Sequence, residues 1–66
     1  MENKTDTNLL EIKGQLLKRY NDMLISEQDH LTLLHLYNSE ASKLFQERSI
    51  SLIDTLIDTI NFIKSL

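Results

Sequence analysis

The chain has 66 residues, no cysteine and a formal net charge of −3 at neutral pH. These values exclude a disulfide framework and predict no general attraction to phosphate backbones or anionic lipid. A single core below roughly 70 residues rarely supplies more than about 3–5 kcal/mol, so we expect association with another chain to complete this small fold.

Residues that form turns are scarce, because the sequence contains one glycine and no proline. A β-rich fold of this size needs several turns made from such residues, so the composition favours long helices and an all-α single domain over 1–66. No apolar run approaches the roughly 20 residues of a membrane span, and no leader pattern precedes the first helix. We therefore expect a cytoplasmic protein without a membrane span.

Apolar residues recur every three or four positions over about 7–24, which predicts a short first helix after a frayed tail at 1–6. The polar segment at 25–29 predicts a tight turn. A long second helix is expected over about 30–65, so the predicted architecture is a helical hairpin. Its intrachain core is predicted to contain Leu9, Ile12, Leu16, Tyr20, Met23, Leu34, Tyr37, Ala41 and Phe45.

Two other geometries remain open at this point. Ser51 and Asp54 can cap a third helix, which would break the second helix near Ser49–Ser51 and give a three-helix bundle. A single unbroken helix would also keep its apolar face nearly in phase.

The C-terminal segment is the most apolar part of the sequence. At 1.5 Å per residue the first predicted helix spans about 26 Å and the second about 57 Å, so the end of the second would project beyond its partner. Such a protruding apolar helix favours dimerisation or binding to another protein. The predicted partner-binding residues are Ile50, Leu52, Ile53, Leu56, Ile57, Ile60, Phe62 and Ile63.

The residue types that support catalysis or bind metals do not form a constellation. His30 and His35 are five residues apart, which separates them by about 140° on a helix. Asp54 and Asp58 are expected on a solvated face rather than in a pocket. We expect no catalytic residue, metal, cofactor or small-molecule substrate, and the scattered Lys and Arg residues do not favour nucleic acid. The expected protein is non-enzymatic, with a protein partner, a second copy of itself, or both.

The segment "ERSISLIDTLIDTINFIKSL" resembles the Glu/Ser start and Ile-rich C-terminal helix of the small E-type co-chaperones of type III secretion needle subunits. This resemblance implies a helical hairpin that pairs with a larger helical-repeat chaperone. In that family the two proteins together keep the needle subunit unpolymerised in the bacterial cytosol.

The alternative function is a small phage or bacterial regulator that sequesters a protein target as a homodimeric helical bundle. An RNA-binding two-helix dimer is a third class, but it needs a basic face that these dispersed cations do not form. In the first two classes the isolated chain is expected to associate. Replacing Leu56 or Ile60 by Asp is expected to disrupt association more than Leu16→Ala does.

Overall fold

The computed structural model describes the backbone of residues 2–37 and 39–66 and the side chains of 8–37 and 39–66. Helix α1 comprises Glu2–Leu36 and helix α2 comprises Glu40–Ser65. The two helices pack side by side in a rod of 57 × 15 × 11 Å. The described backbone contains no strand, and the predicted all-α helical hairpin is confirmed.

The helix boundaries differ from those expected. α1 has 35 residues and α2 has 26, so the first helix is not short and the second is not the longer one. The segment 25–29 is helical, and the connection lies at 37–39 instead. The tail expected to fray over 1–6 is helical from Glu2 onwards, while Met1 lies outside the described residues. Without glycine or proline, the polar segment has no residue that stops a helix, and most of its side chains remain exposed.

A serine cap starts the second helix. Ser39 has an extended backbone (φ −141°, ψ 169°), and its side chain accepts a hydrogen bond from the Ser42 amide at 3.1 Å. This is the usual way to satisfy an unpaired amide in a first turn, where Glu40 also complements the helix dipole. α2 then continues through Ser49–Ser51 without a break, so the three-helix alternative does not form.

The side chains between the helices follow a seven-residue repeat. With Thr59 as the one addition, the buried and half-buried residues of the described chain alternate in steps of three and four, which is the 3.5-residue period of a coiled coil. We call these positions the seam. They are Lys13, Leu17, Tyr20, Leu24, Glu27, Leu31 and Leu34 in α1, and Ser39, Ser42, Gln46, Ser49, Ile53, Leu56, Ile60 and Ile63 in α2.

The seam is polar near the turn and apolar at the open end. Near the turn, the Leu34 carbonyl accepts hydrogen bonds from Ser42 Oγ at 2.6 Å and Gln46 Nε2 at 3.1 Å. These bonds satisfy a carbonyl in the last turn of α1, where intrahelical donors are missing. The apolar end contains the three buried aliphatic residues of the described chain: Leu56, Ile60 and Ile63.

Hydrogen bonds between the helices define their register. Three of these bonds join residues 13 and 64, 27 and 49, and 34 and 42, and each pair of numbers adds up to 76 or 77, while Gln46 lies one turn further along α2 and also reaches the Leu34 carbonyl. α1 therefore runs beside the whole of α2, and its first residues extend about 12 Å past the end of α2. The predicted overhang of the C-terminal segment is wrong, because the later turn lengthens α1 and shortens α2.

Candidate functional site

The residues predicted to bind a partner fall into two sets. One set lies in the seam, where α1 covers it: Ile53, Leu56, Ile60 and Ile63. The other set is exposed: Ile50, Leu52, Ile57 and Phe62. The structure therefore brings only part of the predicted surface to the outside of the hairpin.

The residues predicted to form the hairpin core are mostly outside it. Tyr20 and Leu34 lie in the seam and are half-buried. The other seven are exposed: Leu9, Ile12, Leu16, Met23, Tyr37, Ala41 and Phe45. The apolar residues of the first helix form two neighbouring stripes. The stripe that contacts α2 runs through Leu17, Tyr20 and Leu24.

Exposed apolar side chains of both helices form a second stripe beside the seam. Most neighbouring members of the stripe are three, four or seven residues apart in the sequence, so the members on each helix share one face of that helix. We call the surface the open apolar face. It contains Leu9, Ile12, Leu16, Met23 and Leu33 from α1, and Phe45, Leu52 and Phe62 from α2.

A groove shows that the two helices contribute to the same side of the hairpin. Met23 of α1 and Leu52 of α2 line one shallow concavity of about 390 Å³, together with Asp22, Ser26, Glu27 and Leu56. In an antiparallel pair, equivalent positions on the same side of the seam repeat every seven residues. The open apolar face therefore continues across both helices and along the rod.

Charges on the open apolar face have one sign. Its positions repeat every seven residues from Leu9 and Ile12 in α1, and from Ala41 and Phe45 in α2. Between residues 8 and 66 these positions include the three basic residues Arg19, His30 and Arg48 but no Asp or Glu. The Arg48 guanidinium carbon lies 5.9 Å from the centroid of the Phe45 ring, within cation–π range. Acidic residues are absent from these repeat positions, although Asp22 and Glu27 line the groove beside Met23 and Leu52.

The opposite side of the hairpin is different. There α1 contributes the polar residues Asn21 and Gln28, and α2 contributes Ile50 and Ile57. Both isoleucines are partly exposed, and Ile25 of α1, four residues after Asn21, is 57% exposed on the same side. This side therefore has fewer large exposed apolar side chains than the open apolar face.

A polar cluster crosses the middle of the seam. Ser49 Oγ donates to Glu27 Oε2 at 2.6 Å, and His30 Nδ1 donates to the same oxygen at 2.7 Å. The Ser49 hydrogen bond, followed by that of His30, lowers the pKa of the Glu27 carboxyl below its usual value near 4.5, although burial opposes this shift. No buried polar atom in the described side chains lacks a hydrogen-bond partner. The cluster therefore joins the two helices through satisfied polar contacts.

We expect the hairpin to lose stability on acidification. A carboxyl whose pKa is lower in the folded state stabilises that state fully above its unfolded pKa, and the contribution disappears as the pH falls through the folded pKa. The midpoint temperature of the wild type should therefore fall below about pH 4.5. Circular dichroism melts from pH 7 to pH 3 test this, with Glu27→Gln as the control because an amide keeps the acceptor without titrating. An unchanged pH dependence in that variant would contradict the assignment.

Most seam residues of α1 and of the turn half of α2 were not predicted as core, including the polar residues Glu27, Ser42 and Ser49. A search for a strict seven-residue repeat that tolerates polar residues would have found them. Among the described residues, no group of His, Asp or Glu side chains is arranged to hold a metal ion. Within the same part of the chain, neither helix is long and apolar enough to cross a membrane.

Comparisons of the chain with protein-family models, with curated proteins and with solved structures find no match. The open apolar face is therefore the feature from which we infer a function.

Proposed function

We propose that the chain is a non-enzymatic protein-interaction module that binds amphipathic helices through the open apolar face. The observation that supports this proposal is the continuity of large exposed apolar side chains over both helices, from Leu9 to Leu33 and from Phe45 to Phe62. Soluble monomers rarely expose an apolar surface of this extent, and large exposed patches are typical of docking sites.

The energetics favour a partner of helical shape. Full burial of a large aliphatic or aromatic side chain contributes about 1.5–3 kcal/mol, and residues such as Met23 and Leu52 are already about half covered. A helix laid along the groove between α1 and α2 would cover the remaining surface of both stripes. This is the helix-in-groove mode of recognition, in which apolar residues three and four apart bind the groove.

Two biological roles use such a surface. In the first, the protein is a cytoplasmic co-chaperone whose partner is a secretion-apparatus chaperone or needle subunit, as the sequence of α2 suggests by its resemblance. In the second, it is a small phage or bacterial regulator that sequesters a protein target. Both roles need the open apolar face to bind protein, and neither needs a catalytic group.

Affinity purification with the full-length tagged chain tests the proposal. Leu52→Asp places a charge on the open apolar face, and Ile50→Asp places the same charge on the opposite side of the same helix. Their wild-type side chains are similarly exposed, at 43% and 47%. We expect wild type and Ile50→Asp to retain the same protein, either an untagged copy or a host protein, and Leu52→Asp to lose it. Retention of no protein, or equal retention by both variants, would refute the proposal.

Leu56→Asp and Ile60→Asp, which the sequence suggested as tests of association, do not separate binding from folding. Leu56 and Ile60 are 4% and 5% exposed and lie between the helices. An Asp at either position would unfold the hairpin whether or not a partner binds. Leu52 avoids this difficulty because it lies outside the seam.

A further inference from the structure

The isolated hairpin has a small core for a folded protein. Its described apolar core consists of three buried aliphatic residues at the open end, while the half of the seam near the turn contains Ser42, Gln46 and Ser49. Two helices alone bury one stripe on each helix, whereas each helix here has two. A four-helix bundle buries both stripes, because each helix then contacts two neighbours.

We infer that the open apolar face binds a second copy of this chain, and that the two hairpins form a four-helix bundle. The inference rests on the proposed function and identifies the occupant of its binding surface. The size of the surface agrees with this occupant. The Cα atoms of one side span 57 Å by 15 Å, which is a projected area of about 850 Å². A stable interface of standard size buries about 800 Å² on each partner.

The charges beside the face are complementary to those of a second copy. Arg19 and Asp58 lie at the same level of the rod, since their numbers add up to 77 as in the hydrogen-bonded pairs, and Arg48 and Asp29 share a second level. Within one hairpin the members of each pair lie on the outer sides of different helices. Neither arginine forms a salt bridge with any described residue of its own chain. Each level thus presents one cation and one anion at opposite edges of the rod.

Twofold symmetry brings these charges together. When the twofold axis runs along the rod, α1 of one copy faces α2 of the other at the same level, so Arg19 meets Asp58 of the second copy and Arg48 meets its Asp29. When the axis instead crosses the rod at the layer of Leu24 and Ile53, each helix faces its own copy and the two levels exchange. Arg19 then meets Asp29 of the second copy, and Arg48 meets its Asp58. Both of these closed dimers pair their rim charges, as specific interfaces do.

Sedimentation equilibrium of the full chain at micromolar concentration tests the inference. We expect wild type and Ile50→Asp to sediment as dimers. Leu52→Asp should weaken the dimer by about 100-fold or more, because its carboxylate would be buried at the centre of the interface without a partner. Circular dichroism should show that all three chains are helical. A helical wild-type monomer, or an equal effect of the two variants, would overturn the inference.

A charge exchange tests the rim contacts separately from folding. Arg48→Asp should weaken the dimer by about tenfold, which is the order expected for a charge pair at a protein interface. Adding Asp29→Arg should restore the affinity when the twofold axis runs along the rod, and adding Asp58→Arg should restore it when the axis crosses the rod. Neither aspartate lies beside Arg48 within one hairpin, so restoration requires contact between copies. Failure of both second substitutions to restore the dimer would overturn the pairing.

The two proposals fail in different ways. A helical wild-type monomer that retains a host protein, and loses it with Leu52→Asp, would overturn the second copy as the occupant and leave the proposed function intact. A wild-type monomer that retains no protein would overturn both.

Discussion

Leu56→Ala is expected to reduce the free energy of unfolding by about 2–5 kcal/mol, which is the range for removing a buried leucine side chain. Leu56 is 4% exposed and lies in the apolar end of the seam, next to Ile60 and Ile63. Because a fold of this size has a core contribution of only about 3–5 kcal/mol, the loss should remove most of its stability. Urea unfolding followed by circular dichroism at 222 nm, at one fixed protein concentration, measures the change.

Ile57→Ala provides the matched control for this experiment. Ile57 is the next residue in the same helix, is 39% exposed and lies outside both the seam and the open apolar face. Its truncation removes less buried surface, so we expect a loss of about 1 kcal/mol or less. Equal losses for the two variants would contradict the placement of Leu56 in the seam and indicate a different rotation of α2.

The fold class was predictable from the sequence, because one glycine and no proline leave few ways to build a β-rich chain of 66 residues. The antiparallel pairing was predictable as well, since a chain of this length with two amphipathic segments buries its apolar residues most simply as a hairpin. These conclusions depend on overall composition and period, which the sequence shows directly.

The position of the turn was not predictable from polarity. The segment 25–29 is polar, but Glu27 forms its hydrogen bonds inside the seam and the other side chains are solvated on the helix. The true start of α2 has a serine N-cap at Ser39, followed by Glu40 in the first turn. Ser26 and Asp29 offer similar cap chemistry, so the local signals at the two places compete, and the register of the whole seam decides between them.

The sequence predicted that the candidate site is an apolar protein-binding surface, but it predicted only some of the residues of that surface. A wide apolar arc on each helix indicates that two neighbours are present, yet it does not show which stripe contacts the other helix of the same chain. Leu52 and Phe62 were expected on the binding surface and are exposed, whereas Leu16 and Met23 were expected in the hairpin core and also lie on the open apolar face. Because the turn was expected at 25–29, the first helix was expected to end before Leu56, Ile60 and Ile63, and these residues were assigned to the binding surface instead of the seam.

The polar cluster in the middle of the seam leads to the second large prediction. Glu27→Leu combined with Ser49→Ala replaces both hydrogen-bonding partners by apolar groups of similar size. We expect the double variant to raise the free energy of unfolding by about 1–4 kcal/mol, as replacement of buried charged contacts by apolar residues often does. Ser49→Ala alone should instead destabilise the hairpin by about 1–3 kcal/mol, because it leaves the Glu27 carboxylate without its closest donor.

The same double variant should lose part of its structural specificity. Apolar seams allow one helix to slide by a heptad, since leucine contacts are similar in every layer, whereas a carboxylate requires a donor at one level. Spin labels at Asp22 and Asp54, which are exposed and level with each other on different helices, report the register through their distance. We expect one narrow distance distribution in wild type and a broader one in the double variant. A narrow distribution in both would mean that the polar cluster at Glu27 is not needed for the register, which the packing of Leu56, Ile60 and Ile63 and the hydrogen bonds to the Leu34 carbonyl would then determine.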